Sequence, residues 1–163
     1  MLIVTDLEFA KHLARRAHAG QRERFGGAPY VEHLARIAAA VDNGDDARTV
    51  AWLHDIVEDT PLTLEALRAL FPASIVRVVG MLTRRPEFES YDQYITSIAR
   101  GQHPVATAVK IADLRDHLRA DGPPIPVGMR TRYVNALHVL ESLPHDAYVT
   151  AIALAIREGT DRR

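Results

Sequence analysis

Three short segments carry residue types that could do chemistry together. AWLHDIVEDTP, residues 51–61, sets His54, Asp55, Glu58 and Asp59 among Ala51, Trp52, Leu53, Ile56 and Val57. Read as one helix, His54 and Glu58 lie four residues apart, as do Asp55 and Asp59, so each pair shares a face. Burying several carboxylates without a counter-charge costs several kcal/mol each, and a divalent cation supplies that counter-charge. The alternative is an exposed helix end with solvated acids. GGAPYVEHLARI, residues 26–37, places His33 among Val31, Leu34 and Ile37; alone it reads as a core or surface histidine. On a helix opening at Pro104, Lys110, Asp113 and His117 fall within about 60° of one another. Val105 and Val109 flank that stripe on one side, and Ile111, Leu114 and Leu118 on the other. It reads either as an internal Lys110–Asp113 ion pair or as one wall of a site. Together, His33, His54, Asp55 and Asp113 offer two imidazoles and two carboxylates, which balance one divalent ion. Such mixed ligation suits manganese, iron, cobalt, zinc or nickel. Four ligands on a six-coordinate ion leave two positions for water or a substrate oxygen.

The elements that must position these residues are helical throughout. Thr5-Asp6-Leu7-Glu8 reads as a capping box opening a helix that closes at Gly20. Pro29 stands at a first helical position, and that helix runs to Asn43-Gly44. A third helix is expected over about 46–58, stopped by Thr60-Pro61. Short helices follow over 63–71 and 72–84; Ser90 caps another that ends at Gly101; the Pro104 helix runs to about 120. GPPIP, residues 122–126, is a loop, and two last helices are expected over 128–141 and 145–158. The fold class is all-α, a bundle of eight or nine helices forming one domain over residues 1–163.

Composition removes several classes of function. A chain of 163 residues, 47% apolar and 25% charged, can bury a sizeable core. A net charge of −1 gives no basic field for nucleic acid and no polybasic run for a membrane surface. The absence of cysteine excludes disulfides and thiolate ligands, so His, Asp or Glu must hold any metal. No apolar run is long enough to span a bilayer. MLIVTDLEFAKH lacks the basic start and cleavage site of a signal peptide, so a cytoplasmic location is expected. Local positive clusters could still hold a phosphorylated small molecule, and self-association into a homo-oligomer stays open.

His33, then His54-Asp55, then Asp113 resemble the H…HD…D signature of the HD-domain metal-dependent phosphohydrolases. AHAGQRERFGGAPYVEHL (17–34), AWLHDIVEDT (51–60) and VKIADLRDHL (109–118) resemble the hydrolase domain of RelA/SpoT-type alarmone enzymes and the small alarmone hydrolases. The resemblance covers roughly residues 8–120. It implies a compact α-helical domain with one manganese ion that removes pyrophosphate from the 3′ position of ppGpp or pppGpp. It also implies His33, His54, Asp55 and Asp113 as metal ligands, and Glu58 and Asp59 as the catalytic acid pair. A bound divalent ion acidifies water and polarises a phosphoryl oxygen. Glu58 could then orient that water or take its proton, and Asp59 could assist. Lys110 could neutralise phosphate charge. Arg24 matches an arginine of the family's basic pair after GQ, with a solvated loop arginine as the plain alternative. Tyr91 and Tyr133 could stack on a base or bond phosphate, or simply pack between helices.

Three departures bear on the substrate. The second basic residue after GQ is replaced by Phe25, with Arg22 as a substitute, in a loop one residue longer. His117 stands where the alarmone enzymes carry an asparagine near the nucleotide; histidine is larger and can titrate. LTRRPEFESYDQYI (82–95) has no clear counterpart in the alarmone enzymes. No synthetase or regulatory region is recognisable, so hydrolysis alone is expected. The readings left are a guanosine alarmone hydrolase, an HD phosphohydrolase for another nucleotide such as ppApp, a nucleoside 5′-phosphate or a dinucleotide phosphate, and a non-catalytic nucleotide-binding module.

Overall fold

The structure is a computed structural model describing residues 5–142. The start of the chain and the helix expected over 145–158 lie outside the described residues. Nine helical segments occur among them: α1 (Asp6–Ala17), α2 (Tyr30–Ala40), α3 (Gly44–Leu53), α4 (Ile56–Asp59), α5 (Leu64–Arg68), α6 (Ala73–Leu82), α7 (Tyr91–Gly101), α8 (Pro104–His117) and α9 (Val127–Glu141). The one extended pairing is an isolated bridge between Arg22 and Pro29. The fold is all-α, as the helix start and stop signals imply. No described helix is long and apolar enough to cross a membrane.

The caps explain where the chain turns. Thr5 Oγ1 accepts from the Glu8 amide at 3.3 Å, but the Glu8 carboxylate pairs with Lys11 instead of returning to the cap. Only half of the expected capping box forms there. A complete one opens α7, where Ser90 and Gln93 each accept from the other's amide. Gly44 begins α3 at φ +84°, a conformation that Gly adopts without the steric cost of a Cβ.

Helix α3 is the centre of the bundle. Ala47, Val50, Ala51, Trp52 and Leu53 are all buried, which wraps apolar contact around most of its circumference. It packs on α1, α2, α6 and α8. Leu34 and Ile37 of α2 and Val109 and Leu114 of α8 are buried in the same core.

The helix expected over 46–58 is interrupted. Helix α3 stops at Leu53, and Asp55 takes φ −102° and ψ 0° before α4 begins. That bridge-region backbone is sparsely allowed and common at active sites. His54 Nδ1 lies 2.8 Å from the Ala51 carbonyl, to which an uninterrupted helix would bond the residue 55 amide. His54 and Asp55 therefore form a corner between two helical segments, while the Asp59 amide still bonds the Asp55 carbonyl at 2.9 Å, so the four-residue spacing of Asp55 and Asp59 holds across it.

Leu53 sits fully buried one residue before this corner. Leu53→Ala is expected to lower unfolding free energy by about 2–5 kcal/mol, measured by urea denaturation at constant m-value.

Candidate active site

Residues from four elements meet at one point. His33 comes from the second turn-face of α2, His54 closes α3, Asp55 precedes α4, and Asp113 lies in the third turn of α8. His54 Nε2 is 3.0 Å from Asp55 Oδ2 and 3.9 Å from Asp113 Oδ1. His33 Nε2 is 3.4 Å from Asp113 Oδ1 and 3.9 Å from Asp55 Oδ2. Despite these separations, His33 Nε2, His54 Nε2 and Asp113 Oδ1 are buried with no hydrogen-bond partner. Atoms this close that do not bond to each other converge on a shared point instead. Neighbouring ligands of one ion, with bonds near ~2.1 Å, are spaced about 3 Å apart. The cluster therefore fits a divalent cation, and its His33, His54 and Asp55 ligand atoms all lie within 4.8 Å of one another.

The surroundings fix which nitrogen faces inward. His33 Nδ1 donates to Asp116 Oδ2 at 2.8 Å, and His54 Nδ1 donates to the Ala51 carbonyl. Each ring thus keeps its Nε2 lone pair for the cluster, the usual outer support of a metal-bound histidine. Asp116 is clamped in turn by Arg36, through Nε at 2.6 Å and Nη2 at 2.9 Å, and by Arg119 Nη1 at 3.0 Å. Arg36 also donates to Glu23 at 2.7 Å. The Tyr30 hydroxyl donates to Asp55 Oδ2.

Charge follows this geometry. Burial opposes a charge on His33, yet Asp113 and Asp116 overcome it and push its pKa up to about 10 when no cation is present. Burial likewise opposes ionised Asp113, but Lys110, 2.7 Å from its Oδ2, holds the carboxyl well below the ordinary range. Burial disfavours the Lys110 ammonium, and Asp113 reverses the sign and raises its pKa. Enclosure in the cavity wall pushes Glu58 up to about 7, against the Arg84 amide that donates to Oε1 at 2.5 Å. A carboxyl with a pKa near neutrality is suited to proton transfer.

The cluster floors a cavity of about 650 Å³. Apart from His54, buried beneath it, every residue singled out from the sequence lines this cavity: His33, Asp55, Glu58, Asp59, Asp113, Arg24, Tyr91, Lys110 and His117. Lys110 does both things the sequence left open, since its ammonium pairs with Asp113 and lines the cavity. Arg22 also reaches the cavity, although its guanidinium bonds the Gly27 carbonyl at 2.5 Å and so ties down the loop. The Arg84 and Arg132 guanidiniums lie 5.8 and 5.5 Å from the Tyr91 ring centre. Its hydroxyl is buried and has no hydrogen-bond partner among the described residues. The sequence reading passed over Asp116, Tyr30, Arg84 and Arg132. Asp116 and Tyr30 had a signal: each is three residues from a candidate ligand on the same helix. Arg84 and Arg132 had none, because they reach the site through tertiary packing alone.

Residues 10–121 match the family described as HD domain. A guanosine-3′,5′-bis(diphosphate) 3′-pyrophosphohydrolase of Haemophilus influenzae is 30% identical over 146 residues, 82% of this chain and 21% of that protein. The 3′-pyrophosphohydrolase MESH1 of Danio rerio is 33% identical over 117 residues, 66% of this chain and 64% of that protein. The bifunctional (p)ppGpp synthase/hydrolase SpoT of Escherichia coli is 27% identical over 166 residues, 24% of its length. The chain thus spans about a fifth to a quarter of the long bacterial relatives. A solved structure of a metazoan ortholog of SpoT that hydrolyzes ppGpp matches with a TM-score of 0.73 at 19% identity, covering 98% of both chains. That likeness supports the fold.

Asp116→Asn keeps the shape of the residue but removes the charge that orients His33. It is expected to weaken divalent-metal affinity about 10–100-fold, read by chelator competition, with helical circular dichroism unchanged.

Proposed function

The chain belongs to the HD-domain family, and from that premise we propose that it is a divalent-metal-dependent phosphohydrolase acting on guanosine alarmones. The reaction is removal of the 3′-pyrophosphate from ppGpp or pppGpp, leaving GDP or GTP, within one hydrolase domain. The observation that carries this reading is the convergence of unbonded buried imidazole and carboxylate atoms at the floor of a cavity that also holds Glu58 and several basic side chains. The 3′-pyrophosphohydrolase activity for which the Haemophilus and zebrafish relatives are named supports the substrate class.

His33, His54, Asp55 and Asp113 would hold the ion. Manganese is the ion the resemblance implies, and a set of two imidazoles and two carboxylates accepts it. When bound, the ion supplies Lewis acidity toward water and a phosphoryl oxygen. Glu58 takes the proton of the attacking water as the water oxygen bonds to phosphorus. The bond from that phosphorus to the 3′ oxygen breaks, and the proton passes to the departing 3′ oxygen. Asp59 lies beside Glu58 at the end of α4, where it helps position the water. Arg24 and Tyr91 would face the phosphate-bearing end of the substrate from the cavity wall, while Lys110, paired with Asp113, would add positive charge at the floor.

A second reading keeps the chemistry and moves the substrate to another nucleotide, such as ppApp. It is favoured by His117, which replaces the family's asparagine with a bulkier ring stacked on Tyr133 at 5.2 Å.

The deciding experiment incubates the purified protein and manganese with ppGpp, ppApp and ordinary nucleotides, and separates products by ion exchange. GDP plus pyrophosphate from ppGpp, abolished in Asp113→Ala, is the expected result. Turnover of another nucleotide without ppGpp turnover would move the activity to the second reading. Tight nucleotide binding with no turnover would make the chain a binding module. Glu58→Gln is expected to lower kcat about 10²–10⁴-fold while metal affinity, measured separately, changes little.

A further inference from the structure

His117 adjoins the candidate metal cluster: with His33 and Asp113 it forms a set of donors that overlaps the His33–His54–Asp55 set at His33. Its Nε2 lies 3.2 Å from Asp113 Oδ1, nearer than either His33 Nε2 at 3.4 Å or His54 Nε2 at 3.9 Å. The ligand atoms of His33, Asp113 and His117 all lie within 4.8 Å of one another. At 3.2 Å an imidazole N–H aimed at Asp113 would make a hydrogen bond, yet Asp113 Oδ1 accepts none. The other oxygen of Asp113 is already engaged by Lys110 at 2.7 Å. Nitrogen and oxygen therefore sit side by side, in the same unbonded relation that His33 and His54 have to the cluster.

The ring is also held in place. It packs between His33, with centroids 4.8 Å apart, and Tyr133, stacked at 5.2 Å and 26°. His117 ends α8, four residues after Asp113, so the two side chains rise from one helix face. Preorganisation of this kind is what a ligand needs and a loosely held substrate contact does not.

We propose that His117 is a third imidazole ligand of the ion, making the protein's donor set three imidazoles and two carboxylates. The proposal rests on the reading that a divalent ion occupies the His33–His54–Asp55–Asp113 cluster. Two consequences follow from coordination chemistry. A fifth protein ligand leaves a six-coordinate ion one open position instead of two. An added imidazole also strengthens binding of the later metals, cobalt, nickel and zinc, more than that of manganese.

The test counts ligands and uses no substrate. X-ray absorption spectroscopy on the cobalt-loaded, nucleotide-free protein should show three imidazoles, and two in His117→Asn. Chelator competition should show affinity for nickel and zinc falling about tenfold or more in His117→Asn, with a smaller fall for manganese. Two imidazoles in the unaltered protein would overturn the proposal without need of any variant. So would an equal count in both proteins with affinities within about twofold. Asn is the residue expected at this position in the alarmone enzymes, so the variant should fold; the count on the unaltered protein decides the matter if it does not. His33→Asn is the control: it should abolish tight binding. If the unaltered protein binds no divalent ion, the metal centre itself is overturned, and the His117 ligand with it.

Discussion

Buried donor atoms without partners of their own are the constraint on which the site depends. His33 Nε2 and His54 Nε2 lie buried 3.4 and 3.9 Å from Asp113 Oδ1, and none of the three atoms has a hydrogen-bond partner. An unpaired buried polar atom is destabilising, and a buried carboxylate more so. A fold that places several at one point needs an external charge to compensate them. The rest of the region acts to maintain that arrangement. Asp116 and the Ala51 carbonyl turn the two rings, Tyr30 holds Asp55, and Arg36 and Arg119 hold Asp116. Helices α2, α3 and α8 pack against one another beneath these groups, which fixes the backbones that carry them.

The corner at His54-Asp55 shows how local conformation serves this constraint. In a continuous helix, consecutive residues point about 100° apart, so two neighbours cannot both aim at one point. Ending α3 at Leu53 and giving Asp55 a ψ of 0° brings both side chains to the same place, with Oδ2 and Nε2 3.0 Å apart. The same bend directs Glu58 toward the cavity, where the Arg84 amide meets it. The interruption of the helix is thus part of the site.

That interruption marks the limit of what the sequence reveals. Pro29, Ser90 and Pro104 announce α2, α7 and α8 through backbone chemistry that acts locally; α7 and α8 begin where the residues say, and α2 begins one residue later, with Pro29 as its N-cap and not its first helical residue. Apolar periodicity gives the buried faces. The break after Leu53 has no such signal, because AWLHDIVED contains neither Gly nor Pro, and tertiary contacts of His54 and Asp55 outweigh the local preference for helix. The candidate ligands were legible because imidazoles and carboxylates among apolar neighbours stand out along a chain. Asp116 was less so: its three-residue spacing from Asp113 is a signal, but an acid on a helix ending in Arg-Asp-His-Leu looks solvated until Arg36 arrives from α2.

Asp113 shows how one side chain divides its work. Its Oδ1 faces the imidazoles, while its Oδ2 accepts from Lys110 at 2.7 Å. The Lys110 ammonium is nearly enclosed, with 13% of its side chain exposed, and much of its field falls on that carboxylate. It therefore neutralises the floor of the site more than it attracts substrate. A phosphorylated ligand in this cavity would then meet positive charge chiefly at the wall, from guanidiniums that are not bound into the Asp116 clamp: Arg24, on the loop before α2, and Arg84 and Arg132, both near the Tyr91 ring. Arginine suits the task because its planar fork offers paired donors to phosphate oxygens. The Tyr91 hydroxyl, buried and without a partner among the described residues, adds a polar group to the same wall. The candidate metal ligands at the floor, on α2, α3 and α8 and just before α4, are thus different residues from the cationic side chains of the cavity wall, so the charge of each can be altered without touching the other.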